Sequence, residues 1–355
     1  MKPIGLSKIK KILITRTDRI GDVLLSTPVF PAIKKKYPHI HLTAMVLKET
    51  ESIVRGNPWV DDVIVLDKKG EHKSWWNTFL FGLSLRKRKF DIAIHLHPTN
   101  RVNVIAWAAH IPVRIGYQVL RGGHGKNDFL LTHKIPEQKW QGKKHETEYN
   151  FDLLKFINVS LPMRIGLHFP LLKQDQEDLM KFIPPQTADH YAVFHPSASC
   201  ISKRWPPERL AAVADRMAAQ YGIFPVIIGE GEGIAHSEQM QSAMKEKSLN
   251  LSGQLSLGML GWLLKGARLL VSNDSGPVHL ATAVDTPVVS IFGRNQPGLS
   301  PTRWRPISAQ GSFLHKDVGC VVCLAHKCEI NFKCLTEIVV GDVMDVVKQY
   351  ESVLV

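Results

Sequence analysis

The sequence lacks any run of about eighteen apolar residues, the length that a membrane-spanning helix needs. Lysines precede an apolar run at residues 12–14, but that run is too short for the core of a signal peptide. Only five cysteines are present, and disulfides are a poor expectation for a chain without an export signal. We therefore expect the protein to stay in the cytoplasm, or at most to lie peripherally on a membrane surface.

Acidic residues are fewer than basic ones. The sequence contains 32 Asp and Glu and 45 Lys and Arg, which gives a net charge of +13. A basic surface of this kind favours phosphate-rich or membrane partners. The cations are spread along the chain, without the clustered, aromatic-interleaved stretch that is typical of RNA or single-strand binding proteins. An acidic lipid or a sugar phosphate fits the charge as well as nucleic acid does.

The composition, 44% hydrophobic and 22% charged, is that of a globular protein, and the length favours two domains. Short apolar runs alternate with longer amphipathic runs, twice over, which predicts crossover connections and parallel sheets. The predicted strands are residues 11–15, 41–46, 62–66 and 91–96, then 191–195, 225–228, 268–272 and 287–292. The predicted helices are residues 21–36, 49–55 and 75–86, then 207–220, 235–245, 257–265 and 276–283.

The alternation breaks at a segment rich in proline and charge, residues 161–188, which indicates a linker with one short helix at 174–182. We predict an N-terminal domain at residues 1–165, a linker at 166–188 and a second domain at 189–335. Two doubly wound domains joined by one linker would place a cleft between them. Ligands of such sheets bind outside the carboxyl ends of the strands, so we expect the functional motifs there.

The first candidate motif is TRTDRIGD, residues 15–22, where the first strand ends and the first helix begins. Asp18 and Asp22 could simply favour the helix start, as acidic residues of a first turn do. Asp22 also follows a glycine, where the backbone can approach a ligand, and its carboxylate could take a proton from a hydroxyl. Nearby helix amides are expected to keep it ionised at neutral pH.

The second motif is SNDSGPVH, residues 272–279, again at the end of a strand that leads into a helix. Asp274 or Ser275 could serve only to cap that helix. Alternatively, the amides of Ser275 and Gly276, with the helix dipole, would form a pyrophosphate cradle, from which a proline removes one amide. His279 lies one helical turn further on the face of Ser275 and could donate to a phosphate oxygen.

The third motif is HPSAS, residues 195–199, with Lys203 shortly after it. Ser197 lies in a small polar loop that follows a predicted strand. A lysine in this place can neutralise the charge of a leaving diphosphate. The alternative, a solvated loop with surface charges, agrees equally well with the sequence.

The fourth motif is GEGEG, residues 229–233, after the strand at 225–228. It does not match the dinucleotide-binding fingerprint of glycines, and its glycines could serve only a tight turn. A carboxylate at this level holds ribose hydroxyls in many dinucleotide folds, which makes Glu232, or else Glu230, a candidate.

Four of the five cysteines fall in one short stretch with the spacing C-x2-C-x4-C-x5-C. Compact thiolate pairs can hold zinc or an iron–sulfur cluster, but these intervals match no common pattern. We expect no metal here and favour buried free thiols or an adventitious disulfide; a metal, if bound, would be structural. The four residues are Cys320, Cys323, Cys328 and Cys334.

An aromatic stretch at residues 75–85 is followed by four consecutive cations at 86–89. We expect a helix packed on the sheet. The alternative is a surface that rests on an anionic bilayer, with the aromatic rings in the lipid and the cations on the headgroups.

The motifs RTDRIGDVL, residues 16–24, and SNDSGPVHLA, residues 272–281, together resemble glycosyltransferase family nine, the ADP-heptose transferases of bacterial lipopolysaccharide. The run VVSIFG, residues 288–293, and the late cysteines are similar to that family as well. The resemblance implies an α/β fold of GT-B type, with two Rossmann-like doubly wound domains facing a central cleft. It places the acceptor on the first domain and the nucleotide sugar on the second, with residues 336–355 as a helix that crosses back.

The resemblance also implies an inverting transfer that requires neither a metal nor a cofactor, with Asp22 as general base. The residues implied to bind the donor are Ser197, Lys203, Ser275, Gly276 and His279 at the diphosphate, Asp274 at the sugar and Glu232 at the ribose. Those expected to bind the acceptor are Arg16, Asp18 and Arg19.

The implied donor is ADP-L-glycero-D-manno-heptose, and the implied acceptor is a phosphorylated glycolipid, the lipid A–Kdo or heptose core, at the inner leaflet. Nucleic acid is not expected as a partner under this resemblance. Another nucleotide-sugar enzyme of GT-B fold, either a transferase for a different donor sugar or an epimerase, stays open as an alternative, although an epimerase would not need an acceptor-facing aspartate. A phosphate- or nucleic-acid-binding protein without turnover is the other alternative, and its affinity would fall steeply with salt.

Overall fold

The computed structural model describes residues 4–5, 9–119, 127–184, 190–320, 323 and 327–355. By its internal contacts the chain divides into two units. Unit 1 consists of Met1–Trp140 and Lys144–Pro170, and unit 2 consists of Gln141–Lys143 and Leu171–Val355. The domain bounds given above remain a prediction, and residues 185–188 of the expected linker lie outside the described residues.

Unit 1 is an α/β unit built on one parallel sheet. Its strands are β1 (Lys11–Arg16), β2 (His41–Leu47), β3 (Asp62–Leu66), β4 (Ile92–His95), β5 (Val113–Gln118) and β6 (His133–Pro136). Its helices are α1 (Ile20–Leu24), α2 (Val29–Lys36), α3 (Glu51–Val54), α4 (Trp75–Ser84), α5 (Asn100–Ala108) and α6 (Glu146–Leu154).

Unit 2 repeats this plan. Its strands are β7 (Tyr191–His195), β8 (Phe224–Ile227), β9 (Leu249–Asn250), β10 (Leu269–Asn273), β11 (Val288–Phe292) and β12 (Gly311–His315). Its helices are α7 (Lys173–Leu179), α8 (Pro207–Tyr221), α9 (Gly233–Ala243), α10 (Leu257–Gly266), α11 (Gly276–Ala283), α12 (Pro301–Trp304), α13 (Lys333–Thr336), α14 (Val340–Val347) and α15 (Glu351–Leu354).

The two sheets share one strand order. In unit 1 the order is β3-β2-β1-β4-β5-β6, and in unit 2 it is β9-β8-β7-β10-β11-β12 when read from the same side. Every neighbouring pair is parallel. The direction of winding reverses between β1 and β4, and between β7 and β10. Ligand crevices of doubly wound sheets form at the carboxyl ends of the strands at this reversal.

The central strands form because they are continuous apolar runs, as buried parallel strands require. Ile12, Leu13 and Ile14 of β1 are almost fully inaccessible, and every residue of β10 and β11 is buried. In unit 1 one face of the sheet packs with Ile105 of α5 and with Leu85 just after α4. The predicted fold class, α/β with two Rossmann-like doubly wound sheets, is confirmed.

The helix predicted at residues 21–36 is two helices, because the chain turns between Leu24 and Val29. The hydroxyls of Ser26 and Thr27 donate to backbone carbonyls of α1, and Pro28, which has no amide hydrogen, precedes α2. This break leaves α1 as a short helix that begins inside the motif at residues 15–22 and carries Asp22 in its first turn.

The C-terminal segment packs on unit 2. Val343 and Val347 of α14 and Leu354 of α15 are fully buried in the core that also contains Val213 and Met217 of α8. The helix that crosses back, predicted at residues 336–355, stays a prediction, and the apolar side chains of this segment belong to the core of unit 2. Among the described residues no helix is both long and apolar enough to cross a membrane.

Candidate active site

The centre of the site in unit 1 is Arg16, the last residue of β1, which is 3% exposed. Its guanidinium donates to three carboxylates: to Asp22 Oδ1 at 2.6 Å, to Asp18 Oδ1 at 3.0 Å and to Glu146 Oε1 at 2.9 Å. Asp18 and Asp22 follow within the same motif, whereas Glu146 begins α6. The fold therefore gathers three acids around one buried cation at the carboxyl end of β1.

The position of Arg16 is fixed by further hydrogen bonds. Its guanidinium also donates to Asn150 Oδ1 at 3.1 Å and to the Leu96 carbonyl at 3.4 Å. Asn150 is fully buried and donates in turn to the Leu25 carbonyl at 3.2 Å. Because all three nitrogens of the guanidinium are engaged inside unit 1, Arg16 cannot turn outward without losing these bonds. Acceptor binding by Arg16 stays a prediction, and the structure shows that its guanidinium holds Asp22 in place.

A second buried cation completes the cluster. Lys139 Nζ lies 2.6 Å from Glu146 Oε1, and both side chains are almost inaccessible to solvent. Glu146 thus joins the two cations, since Arg16 contacts the same oxygen. With Asp18 and Asp22, the cluster contains three carboxyl groups and two cations, so it carries one excess negative charge when all of them are ionised.

The electrostatics of Asp22 differ from the expectation. Burial raises the pKa of its carboxyl, the charge of Asp18 raises it further, and Arg16 opposes both by lowering it. Helix amides were expected to favour the ionised form, but α1 has only five residues and a weak dipole, so burial and like charge prevail. A raised pKa makes Asp22 a stronger base than an exposed aspartate.

His97 extends the cluster toward solvent. Its Nδ1 lies 3.3 Å from Asp18 Oδ2, and 40% of its side chain is exposed. Desolvation lowers the pKa of His97, and the charges of Arg16 and Lys139 lower it as well. The ring is therefore neutral at pH 7 and can either donate or accept a hydrogen bond. Arg19, the third residue expected to bind the acceptor, is exposed where α1 begins.

Four members of this cluster were not found from the sequence: His97, Lys139, Glu146 and Asn150. His97 had a usable signal, because it follows β4, the neighbour of β1 across the reversal of winding. Glu146 and Asn150 lie 130 and 134 residues from Arg16 along the chain, on a helix without a recognisable motif. Only the folded chain brings them together.

In unit 2 the corresponding reversal joins the motifs at residues 195–199 and 272–279. The hydroxyl of Ser275 lies 3.0 Å from His195 Nδ1 and donates to the Asn273 carbonyl at 3.0 Å. Within the described part of unit 2 this hydroxyl does not cap α11, although Ser275 occupies the N-cap position. The amide of Val278 donates to the Ser275 carbonyl at 3.2 Å and Pro277 has no amide hydrogen, which leaves the amide of Gly276 for the pyrophosphate hypothesis. Burial lowers the pKa of His195 to about 4, so its ring is neutral.

Asn273 links the two loops at this edge. Its side chain donates to the Pro196 carbonyl at 2.7 Å and accepts from the amide of Trp205 at 3.0 Å. Trp205 is fully buried and donates from its ring to the Ile338 carbonyl at 3.0 Å. These bonds hold the short turn that carries Lys203 against the end of β10.

Lys203 and Asp274, which the sequence separates by 71 residues, form an ion pair of 2.5 Å. Asp274 is buried and Lys203 is 17% exposed. A diphosphate bound by Lys203 would share the ammonium with Asp274. The structure therefore brings together two residues that were both expected to bind the donor.

The other residues expected to bind the donor lie near the carboxyl edge of the same sheet in unit 2. A Cβ placed on Gly233 would lie 2.7 Å from the hydroxyl of Ser197, so only glycine lets the start of α9 approach this loop. His279 is buried one turn into α11. Glu232 is exposed immediately before α9, after Gly231 in a left-handed conformation with φ of 55°. The glycines serve this tight turn, and Glu232 remains a prediction for the ribose.

The four late cysteines, Cys320, Cys323, Cys328 and Cys334, line one cavity of unit 2. Cys328 accepts a hydrogen bond from the Phe332 amide at 3.1 Å. Burial raises the pKa of the Cys334 thiol to about 11, and the three neighbouring thiols contribute. In the described ranges no group of three or more His, Cys, Asp or Glu side chains is arranged to hold a metal. The expectation that no metal binds here stays a prediction.

Comparison with known proteins agrees with this geometry. Residues 79–333, more than half of the chain, match the family model of glycosyltransferase family 9 (heptosyltransferase). The chain is 27% identical over 299 residues to lipopolysaccharide heptosyltransferase 3 of Escherichia coli, covering 81% of this chain and 84% of that protein.

Two solved structures share the fold over nearly the full length. A family 9 glycosyl transferase from Veillonella parvula superposes with a TM-score of 0.85 at 25% identity, covering 97% of both chains. The E. coli ADP-heptose lipopolysaccharide heptosyltransferase II superposes with a TM-score of 0.78 at 19% identity, covering 97% of this chain and 99% of that chain. The resemblance inferred from the two motifs and the GT-B type of fold are confirmed. The chain belongs to glycosyltransferase family 9, the heptosyltransferase family, and is an enzyme of that class.

Proposed function

We propose that this protein transfers a heptose from ADP-L-glycero-D-manno-heptose to a sugar of the lipopolysaccharide inner core, with inversion and without a metal. The family supports a glycosyl transfer, and the E. coli relatives are heptosyltransferases of lipopolysaccharide. One observation supports the mechanism most directly. A largely buried Asp22 with a raised pKa is held by Arg16 at the reversal of winding in unit 1.

Asp22 is the general base of the proposed reaction. Arg16 holds its Oδ1 at 2.6 Å, which leaves Oδ2 as the oxygen that receives a proton. The acceptor hydroxyl gives its proton to Oδ2 while its oxygen attacks the anomeric carbon of the donor. The bond from that carbon to the β-phosphate oxygen breaks with its electron pair, and ADP leaves on the opposite face. Attack opposite the leaving group inverts the configuration at the anomeric carbon.

The charge of the cluster favours this proton transfer. The cluster contains three carboxylates and only two cations, so the neighbouring carboxylates repel the charge of Asp22. Protonation of Asp22 removes the one excess negative charge and is therefore favoured. Arg16 remains hydrogen-bonded on either side of the transfer, so the carboxyl group need not move. His97, neutral and half-exposed beside Asp18, is placed to orient a sugar hydroxyl of the acceptor.

The donor side of the proposal uses unit 2. The uncapped amides at Ser275 and Gly276 would donate hydrogen bonds to the diphosphate, and Lys203 would neutralise its growing charge as the bond breaks. Asp274 holds the Lys203 ammonium and would contact the sugar. Ser197 and His279 lie around the same loops, and Glu232 would hold the ribose hydroxyls.

The proposed acceptor is a phosphorylated glycolipid, the lipid A–Kdo or heptose core, and the proposed location is the cytoplasmic face of the inner membrane. The net charge of +13 agrees with an acidic glycolipid surface. The proposal includes neither a cofactor nor nucleic acid as partner. The epimerase alternative would not need a carboxylate placed for the hydroxyl of an acceptor.

The test is ADP release from ADP-heptose with a deacylated inner-core acceptor, in excess chelator, for wild type and for Asp22→Ala. We expect release by wild type only when acceptor is present, and a loss of roughly 10²–10⁴-fold in the variant. The matched control is Asp317→Ala, an exposed aspartate of unit 2, which should retain wild-type activity.

Three outcomes separate the parts of the proposal. Full activity of Asp22→Ala would refute the role of Asp22. ADP binding without turnover by the wild type would mean that the donor sugar or the acceptor is wrong. Turnover that chelator abolishes and added divalent cation restores would refute a metal-independent reaction.

A further inference from the structure

We infer that one outward surface of unit 1 docks on a lipid bilayer that contains anionic lipids. The surface is formed by Trp75, Trp76, Phe79 and Leu80 of α4 and Trp107 of α5, and we name it the aromatic face. The inference deepens the proposed function and rests on it for a lipid-linked acceptor. The binding of vesicles, however, is measured without any turnover.

The aromatic face is exposed and continuous. Trp76 is 66% exposed, Trp75 55%, Trp107 48% and Leu80 44%. The ring centroids of Trp76 and Phe79 are 5.8 Å apart, and those of Phe79 and Trp107 are 6.3 Å apart. Contiguous apolar surface of this kind marks an interaction site, whereas single exposed apolar residues are ordinary.

The aromatic residues are not needed to hold the helix to unit 1. α4 contacts α5 through small side chains, since a Cβ on Gly82 would lie 2.7 Å from the Cβ of Ala108 and 2.8 Å from the Ile105 carbonyl. Thr78 on the same side is fully buried. Leu85 anchors the end of the helix in the core. The tryptophan rings remain largely exposed beside this contact, where they lower solubility unless another surface covers them.

The segment that carries the aromatic face is predominantly positive, although Glu71, just before it, is an exposed acid. Residues 72–118, which contain α4 and α5, have seven Lys and Arg and one acid, a net charge of +6 in 47 residues. The acid, Asp91, accepts from the backbone amides of Lys10 and Lys11 at 2.7 and 2.8 Å and is thereby occupied. Lys87 and Lys89, just beyond α4, are exposed, and no hydrogen bond or ion pair of their side chains is found with described residues.

The sign of this charge identifies the partner as an anionic membrane rather than a second copy of the chain. A two-fold contact would bring the same surface of both copies together and oppose cations with cations. Tryptophan prefers the boundary between lipid tails and headgroups, and lysines beside it bind anionic headgroups. Apolar rings next to exposed cations are typical of a helix that lies at the membrane interface.

The ring geometry argues against single-stranded nucleic acid, which also combines aromatic and basic residues. Base stacking needs an open ring face. The guanidinium of Arg101 lies 5.0 Å above the ring of Trp75, and Trp76 and Phe79 stack on each other at an interplanar angle of 30°. Ring faces are therefore used within unit 1, while a bilayer requires only apolar surface.

The test is co-sedimentation of the full chain with vesicles of phosphatidylcholine alone, or of phosphatidylcholine with about one third phosphatidylglycerol. We expect binding to the anionic vesicles that weakens as salt is raised. Lys87→Glu/Lys89→Glu and Trp76→Ser/Trp107→Ser should each weaken binding by about tenfold or more. The matched controls are Lys245→Glu/Lys247→Glu, with the same charge change on unit 2, and Met163→Ser, which removes another exposed apolar side chain of unit 1.

Equal binding to both kinds of vesicle, or variants that bind like the controls, would overturn the inference. So would a dimer of the wild type that Trp76→Ser/Trp107→Ser converts to monomer in sedimentation velocity, without vesicle binding. So would saturable binding of a single-stranded oligonucleotide that the same variants abolish, without vesicle binding. Transfer to the deacylated acceptor, measured in parallel, should be unchanged in both variants. Vesicle binding without any transfer by wild type would refute the proposed function and leave the docking surface intact.

Discussion

Arg16 shows how a residue can be identified from a sequence motif while its contacts are known only from the folded chain. Its place in a motif at the end of β1 suggested contact with the acceptor. In the structure Arg16 is buried and donates to three carboxylates, which holds Asp22 in place, and acceptor contact stays a prediction. A guanidinium is suited to this task, because its planar donors can hold several oxygens at once and it stays charged when buried.

The pH dependence of turnover follows from the direction of the Asp22 pKa. Because burial and Asp18 raise that pKa, we expect kcat/KM to fall on the acidic side at a higher pH than an ordinary aspartate would give. Activity needs the ionised base, so it is present above this pKa and is lost as the pH falls through it. Asp18→Asn removes the charge that raises the pKa, and should move the acidic limb to lower pH.

The measurement is kcat/KM for ADP release between about pH 4 and pH 8, compared for wild type and Asp18→Asn. Asp317→Asn is the control for a change of one surface charge, and its profile should overlay that of the wild type. A limb that moves to higher pH in Asp18→Asn would show that Asp18 does not raise the pKa of Asp22.

At the scale of elements, the contact between α4 and α5 depends on the absence of one side chain. Gly82 is buried in this contact, and its backbone approaches that of Ile105 too closely for a methyl group. Helix propensity alone would favour alanine there by nearly 1 kcal/mol. Packing therefore outweighs helix propensity at this position. Glycine allows α4 and α5, which carry the aromatic face, to lie in close contact.

We expect Gly82→Ala to lower the free energy of unfolding by about 1–3 kcal/mol, since neither the Ala108 side chain nor the Ile105 carbonyl can move away cheaply. The matched control is Gly341→Ala in α14, where nothing lies within 4 Å of the added carbon. This control should be neutral or stabilising by about 0.5 kcal/mol. Urea denaturation followed by tryptophan fluorescence measures both, and equal midpoints for the two variants would contradict the packing argument.

At the scale of the whole molecule, the two units carry different groups at the same topological place. Unit 1 presents an acidic cluster at its reversal of winding, with one excess negative charge. Unit 2 presents an uncapped helix start and a lysine at the equivalent position. The first set suits a hydroxyl that must lose a proton, and the second suits a diphosphate.

This division predicts which variants affect nucleotide binding. Lys203→Ala should weaken the binding of ADP by about 10–100-fold, because it removes one charge-assisted hydrogen bond. Asp22→Asn should bind ADP like the wild type, since Asp22 lies in unit 1 and is proposed to act only on the acceptor. Isothermal titration calorimetry measures both. An Asp22→Asn variant that loses ADP binding to the same extent as Lys203→Ala would contradict the division.

The sequence by itself determined most of the alternating pattern, because buried parallel strands are continuous apolar runs and the helices between them are amphipathic. The strands β1, β3 and β7 and the helix α11 lie within a residue of the prediction. Weakly apolar strands were missed: β5, β6, β9 and β12 lie toward the edges of the sheets, where fewer side chains are buried. Local motifs also placed Asp22, Lys203 and Ser275 at strand ends, where ligands of this fold class bind.

Tertiary structure alone decided what surrounds those residues. Glu146 and Lys139 reach Arg16 from distant parts of the chain, and burial, which no local pattern encodes, sets the direction of the Asp22 pKa. The sequence also did not decide that α14 packs on unit 2 or that the tryptophans of α4 are exposed. An amphipathic pattern indicates that one face of a helix is buried, but it does not show which element buries it. A strand end identifies where chemistry can occur, and the long-range contacts determine which side chain can perform it.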